Sequence, residues 1–221
     1  MWKDVLIFLK KEIKQEWRKR HAIQSILTYL IGTIFVCYIC FYAKSNSIHP
    51  ISWNALFWII ALFIAVSAGG KSFLQESDGK QLYYYSLIRP EVIITAKLIY
   101  NTVLISLLLG IEFIFYQLVT GNPIQKTNLF IITLILAAIG FASILTLVSA
   151  IASKANQNNL LTAILSFPLL IPMLAIAIRL CKKAIDDIDI SMARKDILVL
   201  ASLNLITITL SYILFPYIWR N

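Results

Sequence analysis

The sequence predicts an all-α integral membrane protein, a six-helix bundle preceded by an amphipathic helix lying in the membrane interface. Six almost uncharged runs fill its 221 residues: His21–Ala43, Ser45–Gly70, Leu98–Gln125, Thr127–Ser153, Ala155–Ile178 and Ile197–Trp219. The shortest of them, as a helix, is about 34 Å long, against about 30 Å of bilayer hydrocarbon. Composition agrees: 59% of residues are hydrophobic and 14% charged, the reverse of a soluble domain. The connections between runs are too short to form a soluble domain of their own.

The segment before the first span, residues 1–20, is read as a separate cytoplasmic interfacial helix. Trp2, Leu6, Leu9, Ile13 and Trp17 recur at spacings of four, three, four and four, one stripe of a helix. Lys3, Lys10, Lys11, Lys14 and Lys19 lie off that stripe. Such a helix lays its aromatics at headgroup depth and its lysines toward anionic lipid. It either anchors and orients the first span or also touches a cytoplasmic partner as an elbow. No cleavable signal peptide is expected, because the first apolar run is too long for an h-region and lacks a small-residue cleavage site.

The rest, residues 21–221, is read as one transmembrane domain with spans at about 22–43, 53–70, 97–118, 128–152, 160–178 and 197–217. Cys37 and Cys40 in the first span and Cys181 near the last outer loop give no disulfide framework and are expected to be small apolar residues. His49, before Pro50, is read as a solvated loop side chain. The second span ends in Gly69-Gly70-Lys71-Ser72, which lacks the first glycine and the preceding strand of a phosphate-binding loop. Nucleotide binding by this chain is therefore rejected.

The connection 71–96 is expected to be the informative loop. It mixes charge (Glu76, Asp78, Lys80, Arg89, Glu91) with aromatic and aliphatic groups (Phe73, Leu82, Tyr83, Tyr84, Tyr85, Leu87, Ile88). Such a pattern suits docking into a groove on another protein, or a helix lying on the membrane. In the third span Glu112 is the one acid within any run. It lies about 22 Å along the helix from Lys97, near the outer surface, where it is expected to reach water. The fourth span carries Ala137, Ala138, Gly140, Ala142 and Ser143, then Ser149, Ala150, Ala152 and Ser153. Small residues let backbones approach in lipid, so this span is expected at the centre of the bundle. In the fifth, Pro168 and Pro172 predict a kinked or discontinuous helix ahead of Arg179. Residues 179–196 are read as an outer loop.

Charge sets the expected orientation. With the N-terminus inside, the inner segments hold 13 Lys and Arg and the outer ones 7, so both termini are placed in the cytoplasm. The net charge is +9, and seven of the 20 Lys and Arg lie in residues 1–20, where lipid headgroups, not nucleic acid, are the expected counter-charge. Two histidines and one embedded carboxylate cannot build an imidazole-rich metal site or an intramembrane acid–base pair.

The inner loop carries a resemblance. Phe73-Leu-Gln-Glu76-Ser-Asp78-Gly79-Lys-Gln-Leu82, followed by Arg89-Pro90 and Lys97, is similar to the pattern after the second span of ABC-2 type permeases. Six spans, the size and Phe167-Pro168-Leu-Leu-Ile-Pro172 most resemble haem exporter protein B (CcmB) of cytochrome c maturation, over about residues 3–217. The cluster Tyr83-Tyr84-Tyr85 departs from the family, which tends to be aliphatic or acidic there.

The resemblance implies an ABC-2, type V exporter-like fold and a non-catalytic permease subunit in a bacterial inner membrane. It implies a separate cytoplasmic ABC ATPase, a haem-handling membrane subunit, a haem chaperone and a homodimer within the complex. No cofactor is expected on this chain itself; ATP is bound by the ATPase and haem is handled by the complex. Phe73, Glu76, Asp78, Gly79, Leu82, Tyr83, Arg89 and Pro90 would form the ATPase-coupling loop, and Pro168 and Pro172 a broken span. The competing expectation is another ABC-2 type exporter, moving a small hydrophobic or lipid-linked substrate.

Overall fold

A computed structural model describes residues 2–18, 20–42, 48–70, 72–73, 89–154 and 159–220. Among these residues the chain is all-helical. The helices are α1 (Trp2–Arg18), α2 (Arg20–Cys37, running on as a π-helical turn Tyr38–Tyr42), α3 (Pro50–Gly69), α4 (Pro90–Thr120), α5 (Thr127–Lys154), α6 (Asn159–Ile185) and α7 (Ile190–Arg220). Six of them are long and apolar enough to cross a membrane. Only α1, short and charged, is not.

Starts and stops follow local chemistry. Pro50 and Pro90 each open a helix, where a missing N–H costs nothing. His49 caps α3, its Nδ1 accepting from the Ile51 N–H at 3.4 Å. Gly121 closes α4 with φ +82°, a conformation that a side chain would resist.

Helix α5 is the axis of the bundle and packs against α3, α4, α6 and α7. Its most apolar stretch is 72% buried, against 17–44% in the other spans. The cause is its small residues: Ala137, Ala138, Gly140, Ala142, Ser143, Ser149, Ala150 and Ala152 all lie inside, so neighbouring backbones come close where apolar burial alone gives little drive. At Gly140 an added Cβ would overlap Met173 of α6 and lie 2.5 Å from Asn204 Oδ1 of α7. Asn204 in turn donates from Nδ2 to the Leu136 carbonyl at 2.8 Å.

At one end of the bundle Trp53 stacks on Phe57 at 5.6 Å and meets Tyr116 at 5.0 Å. Its Nε1 donates to Thr120 Oγ1 (3.1 Å) and the Gly121 carbonyl (3.0 Å). The 121–126 connection is held down at this end, the N–H groups of Gln125 and Lys126 both donating to the Ala184 carbonyl. Lys126 pairs with Asp189 (3.0 Å) and Asp187 (3.4 Å). The hydrogen bond to Asp189, reinforced by the charge of Asp187, raises the Lys126 ammonium above its ordinary 10.5.

Several expectations are corrected. Residues 179–196 do not form a loop: α6 continues to Ile185 and α7 begins at Ile190. Charged residues extend these helices beyond their apolar cores because they pair with each other, Lys183 with Asp196 at 2.9 Å and Arg179 with Asp196 at 3.8 Å. The third span starts at Pro90, so residues 90–96 are helix rather than loop. Helix α6 is not discontinuous but runs through Pro168 and Pro172. Being four apart, both prolines lie on its exposed face, opposite the buried Leu170, Met173 and Ala177. Glu112 does not reach water: it is 0% exposed and neither carboxylate oxygen has a hydrogen-bond partner. Axial position placed it near a span end, but α4 turns that face into the bundle.

Candidate functional site

The end of the bundle opposite the Trp53 cluster is where the second span gives way to the connection read as a coupling loop. Here the chain gathers polar groups that apolar periodicity could not reveal. Phe73 is fully buried, its ring 5.3 Å from Phe215 of α7. Its N–H donates to Ser149 Oγ of α5 at 3.0 Å. Asn101 of α4 donates from Nδ2 to Ser72 Oγ (3.0 Å) and to Thr146 Oγ1 (2.7 Å). Residues 72 and 73 are thus fixed by side chains from two spans.

Lys97 stands at the centre of this cluster and is 1% exposed. Its Nζ donates to the Ser72 carbonyl at 2.6 Å and lies 4.5 Å over the Phe73 ring. The Glu12 carboxylate of α1 approaches it to 3.7 Å and also holds Lys11 at 2.9 Å. A buried ammonium is tolerated only when its charge is compensated. Here a carboxylate, a carbonyl dipole and an aromatic face share that task.

Helix α1 reaches Lys97 because it packs on α4. Its bundle-facing residues are Val5, Phe8 and Glu12, with Leu9 partly buried. The stripe picked out by spacing faces elsewhere: Trp2, Leu6 and Ile13 are exposed, Trp2 at 68%. The helix has apolar residues over an arc wide enough for two faces, and periodicity cannot say which one meets protein. The side chain of Trp17 lies outside the described residues.

Of the expected coupling residues, the structure brings Phe73, Arg89 and Pro90 into view. Phe73 is buried at the root of the connection; Arg89 precedes α4, and Pro90 opens it. Glu76, Asp78, Gly79, Leu82 and Tyr83 lie outside the described residues. Sequence reasoning missed Glu12, Ser72, Asn101, Thr146 and Ser149. The available signal was Asn101, an amide inside an apolar run one turn after Lys97. Among the described residues no three His, Cys, Asp or Glu side chains gather as metal ligands.

The CcmB protein family model matches residues 3–218, nearly the whole chain. The chain belongs to the CcmB family. No curated protein matches it. Membership makes this six-span CcmB-family protein a membrane permease component of a cytochrome c maturation ABC transporter. In these terms the Phe73–Lys97 cluster of the CcmB-family chain lies at the base of the connection between its second and third spans.

Proposed function

We propose that this protein couples ATP hydrolysis by a separate cytoplasmic ATPase to haem delivery, or to release of a haem-loaded chaperone, on the outer face of a bacterial inner membrane. The observation that carries the reading is the family match over residues 3–218. The cluster around Phe73 supports it physically. A segment that transmits force needs a rigid root, and here the Ser72 and Phe73 backbone is bonded to Lys97 and Ser149.

In this reading both termini and the 71–90 connection face the cytoplasm, with Glu76, Asp78, Gly79, Leu82, Tyr83, Arg89 and Pro90 forming the contact with the ATPase and the buried Phe73 anchoring its root. The permease works as a homodimer beside a haem-handling membrane subunit and a haem chaperone. Haem is cargo of the complex, and ATP is bound by the partner. The exposed Trp2, Leu6 and Ile13 of α1 rest in the lipid interface.

The test is co-purification from native membranes followed by ATPase assay. An ATPase subunit should be recovered, and reversing the charges of Glu76 and Asp78 should uncouple hydrolysis from haem attachment without unfolding the bundle. A stable, active single-component protein would sink the proposal. Normal haem attachment to c-type cytochromes after gene deletion would instead favour export of another hydrophobic or lipid-linked substrate.

A further inference from the structure

Lys97 binds together three parts of the chain that are far apart in sequence. It lies on α4, its carboxylate partner Glu12 on α1, and its carbonyl and aromatic partners at Ser72 and Phe73, just beyond α3. The carbonyl bond matters most, because it holds backbone rather than a side chain and so fixes the Ser72–Phe73 root of the connection. Apolar contacts run along the same seam: Val5 and Phe8 of α1 share one buried cluster with Phe73, Val92, Ile93, Phe215 and Trp219.

The arrangement is more specific than packing requires. Apolar side chains at both 97 and 12 would fill the same space without the cost of burying charges, and replacing a whole buried ion pair in this way is often neutral or stabilising. An ammonium is needed where a point charge must reach a carboxylate, a carbonyl and a ring face together. Arginine, with a planar fork, meets that geometry differently. Lys11 donates to the same Glu12 Oε1 that Lys97 approaches, which helps to hold the carboxylate in place.

We propose that Lys97 is a positioning residue that locks α1 to the root of the 71–90 connection, so that the two move as one body when the ATPase acts. The inference rests on the reading of that connection as the coupling element. It adds a second moving part, α1, and names Glu12 and Lys97 as its link.

The test uses the complex co-purified with its ATPase in nanodiscs. Spin labels are placed at Lys10 on the exposed side of α1 and, as a reference outside the lock, at the exposed Met192 at the start of α7. Distances are measured without nucleotide and with a non-hydrolysable ATP analogue. The wild type should show a nucleotide-dependent shift in the α1 distance, and Lys97→Met and Glu12→Gln should each reduce that shift at least fivefold. Lys97→Arg should recover only part of it. Should Lys97→Met fail to fold, Glu12→Gln alone decides, since it preserves the shape and a hydrogen-bonding group.

A full-sized shift in Glu12→Gln or Lys97→Met would overturn the lock. So would a wild type whose α1 does not move while Glu76 and Asp78 charge reversal still uncouples hydrolysis; that outcome leaves the coupling reading standing. Failure to recover any ATPase would bring down both.

Discussion

At Gly140 of α5 a Cβ would meet both α6 and α7, and Gly140→Ala tests how tightly these three helices pack. The new methyl would overlap the Met173 thioether and press on Asn204 Oδ1. Met173 can swing aside, but Asn204 is held by its bond to the Leu136 carbonyl. Overpacking of this kind costs about 1–3 kcal/mol, and losing an interhelical hydrogen bond in a membrane protein adds about 0.6 kcal/mol. Removing glycine from a helix interior returns about 1 kcal/mol. The clash therefore wins, with a net destabilisation of about 2 kcal/mol from these opposing terms. Gly110 of α4 supplies the control, because nothing lies within 4 Å of a Cβ placed there. Gly110→Ala should be neutral or stabilising by up to about 1 kcal/mol. Reversible unfolding in mixed micelles, followed by far-UV circular dichroism, measures both. If Gly140→Ala is as stable as Gly110→Ala, the approach of α5 to α6 and α7 is looser than argued.

Other substitutions probe the remaining clusters. Glu112→Leu should stabilise the fold by about 2 kcal/mol, since a carboxyl without partners gives way to an apolar group of similar size; a destabilised variant in the same unfolding assay would mean that the carboxyl has a structural role. Trp53→Phe removes the donor shared by Thr120 and Gly121 while keeping the ring stack, and should lower stability by about 1 kcal/mol, visible as a lower thermal midpoint. Lys126 has a raised folded pKa, so its contribution is fully present below its ordinary 10.5 and is lost as pH rises through the higher folded value. Lys126→Ala should accordingly speed amide exchange in 121–126 at neutral pH, whereas wild type should show that loosening only in strong alkali; equal exchange at pH 7 would discount the Asp187 and Asp189 pairs.

The spans were legible because a run of some twenty apolar residues has few other physical uses, and the small residues of α5 marked the axis for the same reason. Glu112 was misjudged because depth along a helix is readable from sequence while the direction it faces depends on its neighbours. Helix ends were misjudged where charge was taken to mean loop. Asp196 looks like a solvated loop acid until Lys183 is found beside it. The Glu12–Lys97 pair left no periodic trace at all, since it joins single residues from distant elements. The resemblance did mark Lys97, but only the fold shows what it touches.

Helix α7 is tied short at its start and carries Phe215 and Trp219 near its other end, which makes the 186–189 turn a pivot for that helix. Four residues join α6 to α7, and the 121–126 strap is hydrogen-bonded to Ala184 beside that turn. At the end that bears α1 and Phe73, α5 and α6 are also joined by four residues, 155–158, whereas α3 and α4 are separated by residues 70–89. Helix α7 has 31 residues, which makes it about 46 Å long. A tilt of about 5° about its tethered end would carry the far tip through about 4 Å for a helix of that length. Small angles at the start of α7 thus become displacements at Phe215 and Trp219 that are large enough to break their packing with Phe73.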